Sequence, residues 1–93
     1  MVRAKFKVIS KTETNYSYWK NVDGVNQSVE CILFTFKFSP VYSPDLNHEN
    51  HKFWEATPSG IIELGSILNK EASDQFHIGK EYYIDFTQAD EVK

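Results

Sequence analysis

The chain has 93 residues, of which 41% are hydrophobic, 15% aromatic and 25% charged, and its formal net charge is −3. This length predicts one domain, residues 1–93, with a small hydrophobic core. Domains of this size are often stabilised by forming homo-oligomers. The acidic balance excludes duplex nucleic-acid binding through overall charge, and the single cysteine, Cys31, excludes an intrachain disulfide. We expect a soluble, cytoplasmic protein without a membrane-spanning segment.

The first predicted strand covers residues 2–9, in which apolar and cationic side chains alternate. Its outer face carries Arg3, Lys5 and Lys7. Cations spaced two apart along a strand point to one surface. They therefore protect a solvated edge from aggregation, or they form an anion-binding stripe.

Two further strands, residues 16–22 and 25–33, are predicted on either side of a hairpin turn. Asp23-Gly24 suits the positive backbone dihedrals that such a turn needs. The first arm carries more aromatic rings than a small core holds. We expect Tyr18 and Trp19 to cover the end of a barrel, or to contact a ligand or a second copy in a homo-oligomer.

The longest apolar run, residues 29–41, predicts the central strand. Side chains alternate across a strand, so the even-numbered apolar residues of this run share one side. These residues are Ile32, Phe34, Phe36 and Phe38. β-branched and aromatic residues fill the run and Pro40 ends it, which excludes a buried helix.

A surface loop is predicted after Pro40, where hydrophobic periodicity is lost. His48 and His51 stand there beside Asp45 and Glu49. This spacing is not that of the metalloprotease helix motif, and loop polarity explains these residues equally well. We expect no metal and no cofactor.

A short strand, residues 52–56, is predicted next, with Phe53 and Trp54 pointing to opposite sides. Thr57-Pro58-Ser59-Gly60 then predicts a turn. This turn is an ordinary hairpin turn, or its two hydroxyl groups and its backbone N–H groups bind an anion.

The last part of the chain predicts a strand at residues 61–68, a short helix at residues 70–77 with Asn69 as N-cap, and a final strand at residues 81–87. Strands followed by one late helix and a final strand are typical of a mainly β domain. We expect a small OB-like (oligonucleotide-binding) Greek-key barrel or a curled antiparallel sheet with one short helix.

Several short motifs are spread over most of the chain. They are Arg3-Ala4-Lys5-Phe6-Lys7-Val8, Ser39-Pro40-Val41-Tyr42, Asn50 with Phe53-Trp54, Ala56-Thr57-Pro58-Ser59-Gly60, Ile62-Glu63-Leu64 and Gly79-Lys80-Glu81-Tyr82-Tyr83-Ile84-Asp85-Phe86-Thr87. Together they resemble a family of small uncharacterised bacteriophage proteins. The resemblance implies a setting and not a chemistry: a protein made in the cytoplasm of an infected bacterium, which serves DNA metabolism or counters host defences.

We expect a non-catalytic binding protein, because the histidines are scattered and no base stands beside a nucleophile. Cations and aromatic rings are the groups that bind nucleotides. The predicted ligand-binding residues are Arg3, Lys5, Lys7, Lys52, Trp54, Thr57, Ser59, Gly60, Lys80 and Tyr83.

The acidic net charge favours a compact site over a long groove. A single-strand binder gains affinity from counterion release along an extended basic groove, whereas a pocket needs only a few convergent donors. We therefore expect a nucleotide-like anionic ligand, bound as a sponge that sequesters a host immune signal. The alternatives are an OB-like accessory protein for single-stranded nucleic acid and an inhibitor that binds a host protein.

Overall fold

The computed structural model describes residues 2–90, so Met1 and residues 91–93 of the predicted domain lie outside the described part. The elements are β1 (Val2–Val22), β2 (Val25–Pro40), α1 (Glu49–Trp54), β3 (Ile62–Ile67), α2 (Lys70–Asp74) and β4 (Glu81–Phe86). All strand pairs are antiparallel, in one sheet of order β3-β2-β1-β4.

The predicted mainly β class is confirmed, and the curled antiparallel sheet is the architecture that the chain adopts. β3 and β4 lie at opposite edges of the sheet and do not pair with each other within residues 2–90. A closed barrel needs such a pair, because only closure removes the two sheet edges. The OB-like barrel is therefore not formed.

β1 is one strand of 21 residues, where the sequence predicts separate strands at residues 2–9 and 16–22. Its register against β2 shifts by one residue between Val8 and Ser10, so Ile9 is a β-bulge. Val8 pairs with Phe38 before the bulge, and Lys11 pairs with Phe36 after it. Even-numbered residues of β1 therefore face the core before the bulge, and odd-numbered residues share that side after it.

β1 and β2 extend beyond the other strands as a two-stranded ribbon, residues 14–22 paired with residues 25–33. Asp23 and Gly24 have φ angles of 52° and 81°, as a type I′ turn requires, and the predicted hairpin is confirmed. The Cα radius of gyration is 18.0 Å, against about 12 Å for a compact domain of this length. The ribbon causes this elongation.

The core lies on one face of the sheet, and α1 and the segment after α2 pack on it. Its buried apolar side chains are Ala4, Phe6, Val8, Phe36 and Phe38. Phe76 covers them, with ring centroids 5.2 Å from Phe36 and 5.4 Å from Phe38. Ile32 shares this side of β2 but lies on the ribbon, and it remains 39% exposed.

The predicted strand at residues 52–56 is wrong, because this segment belongs to α1 and to the turn that follows it. The chain therefore has two short helices. The side chain of His48 caps α1 by accepting a hydrogen bond from the backbone N–H of Asn50 (3.1 Å), and Glu55 ends it with a φ of 52°. Phe53 and Trp54 do not point to opposite sides of a strand. Their ring centroids are 4.6 Å apart.

The C-terminal elements agree closely with the predicted ones. Oδ1 of Asn69 accepts a hydrogen bond from the backbone N–H of Ala72 (3.1 Å), which confirms the predicted N-cap of α2. α2 ends at Asp74 and not at His77, so Phe76 packs on the core from beyond the helix. No helix within residues 2–90 is long and apolar enough to cross a membrane.

Candidate functional site

Asn50 fixes α1 against the edge of β1. Its Oδ1 accepts a hydrogen bond from the backbone N–H of Lys5 (2.6 Å), and its Nδ2 donates to the carbonyl oxygens of Lys5 (2.7 Å) and Val41 (2.7 Å). β2 ends at Pro40, where the Asn50 amide lies between the backbones of Lys5 and Val41 and bridges them, and the backbone N–H of Val41 still donates to the Lys5 carbonyl (3.0 Å). Asn50 is fully buried, and α1 is thereby held beside the start of β1.

An open groove of about 510 Å³ lies between the start of β1 and α1. It is lined by Val2, Arg3, Glu49, Lys52 and Phe53. Most small-molecule sites have volumes of roughly 300–1,000 Å³ and combine apolar surface with a few polar groups. This groove has that size and that composition, and it contains two of the predicted ligand-binding residues.

The Arg3 guanidinium is held in one orientation. Its Nε lies 2.6 Å from Oδ1 of Asp85 and its Nη2 3.0 Å from Oδ2, and its carbon lies 4.8 Å from the ring centroid of Tyr83. The hydrogen bonds from Arg3 lower the pKa of Asp85 and raise the pKa of Arg3. Because the pKa of Asp85 is lowered, the pair stabilises the fold at neutral pH, and this contribution is lost as the pH falls through the folded-state pKa of Asp85.

Tyr83 connects the two cations of β1 to α1. The Lys5 Nζ lies 5.1 Å from the centroid of the Tyr83 ring, and the Tyr83 hydroxyl donates a hydrogen bond to Oε1 of Glu49 (3.0 Å). The pKa of Glu49 is lowered, first by a hydrogen bond from its own backbone N–H and then by Tyr83. Glu49 is therefore ionised at neutral pH and offers a carboxylate acceptor at the groove.

The positive charges of Arg3, Lys5 and Lys7, the cationic stripe of β1, are largely neutralised by acidic residues of β4. Asp85 lies opposite Arg3 and Glu81 opposite Lys7 in the strand register, and Lys5 Nζ is 4.0 Å from Oε1 of Glu81. By contrast, the Lys52 ammonium group has no ion pair within residues 2–90. Lys52 is thus the cation of the groove that is most available to an anion.

The structure brings Arg3, Lys5, Lys52 and Tyr83 together at or beside this groove. The other predicted ligand residues lie elsewhere. Trp54 is half-buried, with its ring centroid 6.0 Å from that of Phe6, so it belongs to the core packing. Lys7 shares the outer face of the sheet with Arg3 and Lys5, but it lies four residues along β1 from Arg3 and does not line the groove. Lys80 precedes β4, and its carbonyl accepts from the backbone N–H of Val8 (3.1 Å).

The predicted hairpin turn at residues 57–60 is not formed, because this segment connects α1 to β3 and no strand precedes it, and the segment does not join the groove. Thr57 lines a second, smaller depression of about 270 Å³ with Tyr42, Leu46 and His51. Ser59 and Gly60 are exposed beyond it. A phosphate bound at residues 57–60 would therefore not meet the cations of β1 in the same site.

The predicted interface residues lie on opposite faces of the ribbon. Directly paired residues share a face, and Tyr18 pairs with Val29, whereas Trp19 pairs with Ser28. Trp19 is 75% exposed among polar neighbours. Tyr16, which is not among the predicted interface residues, lies on the same face as Tyr18, with ring centroids 6.3 Å apart.

Within the described residues, no three His, Cys, Asp or Glu side chains are close enough together to hold a metal ion. Comparison of the chain with protein-family models, with curated proteins and with solved structures finds no match. The resemblance to small bacteriophage proteins therefore stays a prediction.

Proposed function

We propose that the protein binds a nucleotide-like anionic ligand in the groove between β1 and α1, and that it does so without catalysing a reaction. The observation that carries this proposal is the meeting of Arg3 and Lys52 with exposed aromatic surface in one groove. Charge-assisted donors recognise a phosphate, and an aromatic face recognises a base.

The two cations contribute in different ways. Lys52 is unpaired within the described residues and contacts the phosphate as a mobile point charge. Arg3 uses two of its five N–H donors on Asp85, which leaves donors for the ligand. Because Asp85 and Tyr83 already fix the guanidinium, ligand binding orders it at little further cost in entropy.

The remaining groups of the groove suit the nucleoside part of such a ligand. Phe53 is 41% exposed and provides an apolar surface on which a base can stack. The Glu49 carboxylate accepts hydrogen bonds from ribose hydroxyls or from an exocyclic amine. The acidic residues also limit the charge that the site tolerates, which favours a ligand with few phosphates over a long polyanion.

Together with the resemblance to small bacteriophage proteins, nucleotide binding in the groove supports the role of a sponge, a protein that sequesters a signal molecule. A non-catalytic protein made in the infected cell would sequester a nucleotide signal and keep it from its host receptor. The single-strand binder is the alternative for the same groove. The two differ in salt dependence, since binding to single strands weakens by a slope of about 0.7 for each phosphate engaged.

The test is a thermal-shift and calorimetry panel of AMP, ATP and cyclic dinucleotides, with a long oligothymidine as the comparison. We expect at least one small nucleotide to raise the melting temperature, since a ligand that binds only the folded state stabilises it by mass action. Lys52→Gln should weaken that binding by about 10- to 100-fold, the value of a charged hydrogen bond. Lys70→Gln on α2 is the matched control and should bind as the wild type does.

Two results would contradict the proposal. The first is a melting temperature that no small nucleotide changes at millimolar concentration. The second is equal binding by Lys52→Gln and the wild type. Tight binding of oligothymidine with a steep salt slope, together with failure of every small nucleotide, would replace the sponge by the single-strand binder.

A second candidate, an inhibitor that binds a host protein, is favoured by Trp19. Its indole is 75% exposed on the ribbon, and tryptophan is one of the residues enriched at binding hot spots. Trp19→Ser should then abolish capture of one reproducible bacterial protein from a lysate. Retention of that protein by Trp19→Ser would exclude this role for Trp19.

A further inference from the structure

The face of the ribbon that carries Tyr18 is apolar over most of its length. Tyr16 and Tyr18 are two residues apart on β1 and therefore lie on one face of the ribbon. Their partners on β2, Cys31 and Val29, lie on the same face. The apolar face comprises Tyr16, Tyr18, Val22, Val25, Val29 and Leu33. The opposite face of the ribbon carries mainly Asn, Ser and Glu side chains, with Trp19 among them.

Nothing within residues 2–90 covers this apolar face. Tyr16, Tyr18 and Val25 are 44%, 37% and 58% exposed. β3 and β4 pair only with the wider part of the sheet, and the core lies on the other face. An isolated two-stranded hairpin is only marginally stable in water, and contiguous apolar patches on soluble proteins mark interfaces.

We propose that this face packs against the same face of a second copy of the chain, in a two-fold symmetric dimer. From Thr12 to the turn, its only charged side chain is Lys20. A nucleic acid would need several cations there, and a strongly charged protein would need an opposite charge. The face offers neither, whereas an apolar face that is nearly free of charge is complementary to itself.

The polar residues of the face fix the position of the two-fold axis. The pair of Thr12 with Thr35 and the pair of Lys20 with Gln27 each lie four residues along β1 from Tyr16, in opposite directions. An axis through Tyr16 and its partner Cys31 therefore places the polar pair of one copy over the polar pair of the other. Tyr16, Tyr18, Val29 and Leu33 lie between these polar pairs and then cover one another, whereas Val22 and Val25 lie beyond the overlap.

This arrangement also keeps the like charges apart. The Lys20 residues of the two copies lie at opposite ends of the interface, roughly 27 Å from each other at about 3.4 Å per strand residue. The Debye length at physiological salt is about 8 Å, so the two ammonium groups do not repel each other appreciably.

The area of the face places the dimer among small interfaces. From Thr12 to Lys20, the part of the ribbon that overlaps in this arrangement, the face is about 27 Å long and, with its side chains, about 15 Å wide. Two such faces cover roughly 800 Å² in total, which is below the size of standard specific interfaces and typical of weak, transient ones. The dimer should therefore dissociate in the micromolar range.

Sedimentation equilibrium from about 2 to about 500 µM tests the proposal, with affinities in this range expected for a small interface. We expect reversible dimerisation of the wild type. Val29→Glu places a charge within the apolar face and should weaken the dimer at least about tenfold, because an unpaired carboxylate loses its hydration there. Ser28→Glu places the same charge on the opposite face, one residue away, and should dimerise as the wild type does.

Cys31 gives a second readout, since it is the single cysteine of the chain and lies at the proposed axis. A short bismaleimide should link two Cys31 thiols covalently in the wild type and in Ser28→Glu, but not in Val29→Glu. Amide NMR spectra establish that the variants are folded. Tyr18→Ser replaces Val29→Glu if that variant does not fold.

A wild type that stays monomeric at about 500 µM, well above a micromolar dissociation constant, would overturn the proposal. Equal dimerisation of Val29→Glu and Ser28→Glu would overturn it too. Binding of a monomeric wild type to phosphatidylcholine vesicles, lost in Val29→Glu, would instead assign the face to a lipid surface. Nucleotide binding in the groove is measured separately on Val29→Glu, so failure of the dimer and failure of the ligand site are distinguishable.

Discussion

Asn50 is the residue on which the position of α1, and with it the groove, depends. Its amide has both a donor and an acceptor, spaced so that it bonds with the backbone of Lys5 as a strand would. An aspartate lacks the donor, and an aliphatic residue lacks both groups. Removing the amide would leave the backbone N–H of Lys5 and the carbonyl of Val41 without these partners, whereas the Lys5 carbonyl would keep the hydrogen bond from the backbone N–H of Val41 (3.0 Å).

Asn50→Ala should lower the free energy of unfolding by about 2–4 kcal/mol, because it removes three hydrogen bonds and leaves the Lys5 N–H and the Val41 carbonyl unsatisfied. Urea denaturation measures this loss. Asn47→Ala is the control, since Asn47 is exposed in the preceding loop, and it should cost less than about 0.5 kcal/mol. A loss below about 1 kcal/mol for Asn50→Ala would mean that water replaces the amide.

The sequence identified several cations of the groove but not the groups that neutralise them. Arg3 and Asp85 are separated by nearly the whole chain and meet only because β4 pairs with β1 in one register. Alternation within a strand shows which residues share a face, but not which strand lies beside it. The sequence therefore predicts a higher positive charge around Arg3, Lys5 and Lys7 than the fold has, because acidic residues of β4 lie beside them.

At the scale of the elements, α1 shows how a short helix can be mistaken for a strand. Its aromatic pair, Phe53 and Trp54, favours a strand by composition. Yet Asn50, Phe53 and Trp54 stand at positions i, i+3 and i+4, which is the spacing of one helix face. This signal was present, but an asparagine in a polar stretch is typical of a turn and hides it.

The turn at the tip of the ribbon, by contrast, was predictable because its chemistry is local. Gly24→Ala should destabilise the ribbon by about 1–2 kcal/mol, the cost of a left-handed conformation for an L-residue. Gly24 has a φ of 81° and a Cβ there would meet nothing within 4 Å, so backbone strain alone sets the cost. Hydrogen exchange of ribbon amides should accelerate by about 5- to 30-fold.

Gly65→Ala is the matched control for the turn. Its φ is not in the left-handed region, and a Cβ at Gly65 would lie 3.6 Å from Oγ1 of Thr35, an ordinary contact. We expect this variant to be as stable as the wild type or slightly more stable, since a glycine within a strand is unfavourable by about 0.5–1 kcal/mol. Equal effects of the two substitutions would show that the turn conformation does not determine the stability of the ribbon.

The β-bulge at Ile9 is the feature of β1 that local patterns did not reveal. The stretch between Ile9 and Tyr16 is polar throughout, so its alternation has no apolar face by which a shift could be recognised. The bulge moves Tyr16 and Tyr18 to the outer face, away from the core. The presence of surplus aromatic rings was predictable, but the face on which each lies was not.

The whole molecule combines a packed body with a ribbon that lacks a core of its own. The buried apolar residues all belong to the part of the sheet where three or four strands meet, and none lies between residues 14 and 33. Stability should therefore differ between the two parts. The body unfolds only with the loss of its core, whereas the ribbon of a single copy is held by cross-strand pairs alone.

Hydrogen exchange at low micromolar concentration should separate these two levels. Hydrogen-bonded amides of residues 4–8, 36–38 and 82–84 should exchange only by global unfolding. Amides of the ribbon should exchange by local opening, whose free energy should be at least about 2 kcal/mol lower than that of global unfolding. At about 1.4 kcal/mol for each factor of ten, ribbon amides should exchange roughly 30-fold faster or more. Equal protection in both parts at the lowest concentration would show that the single chain unfolds as one cooperative unit. The ribbon would then be stable without a partner, and its exposed apolar face would need another explanation.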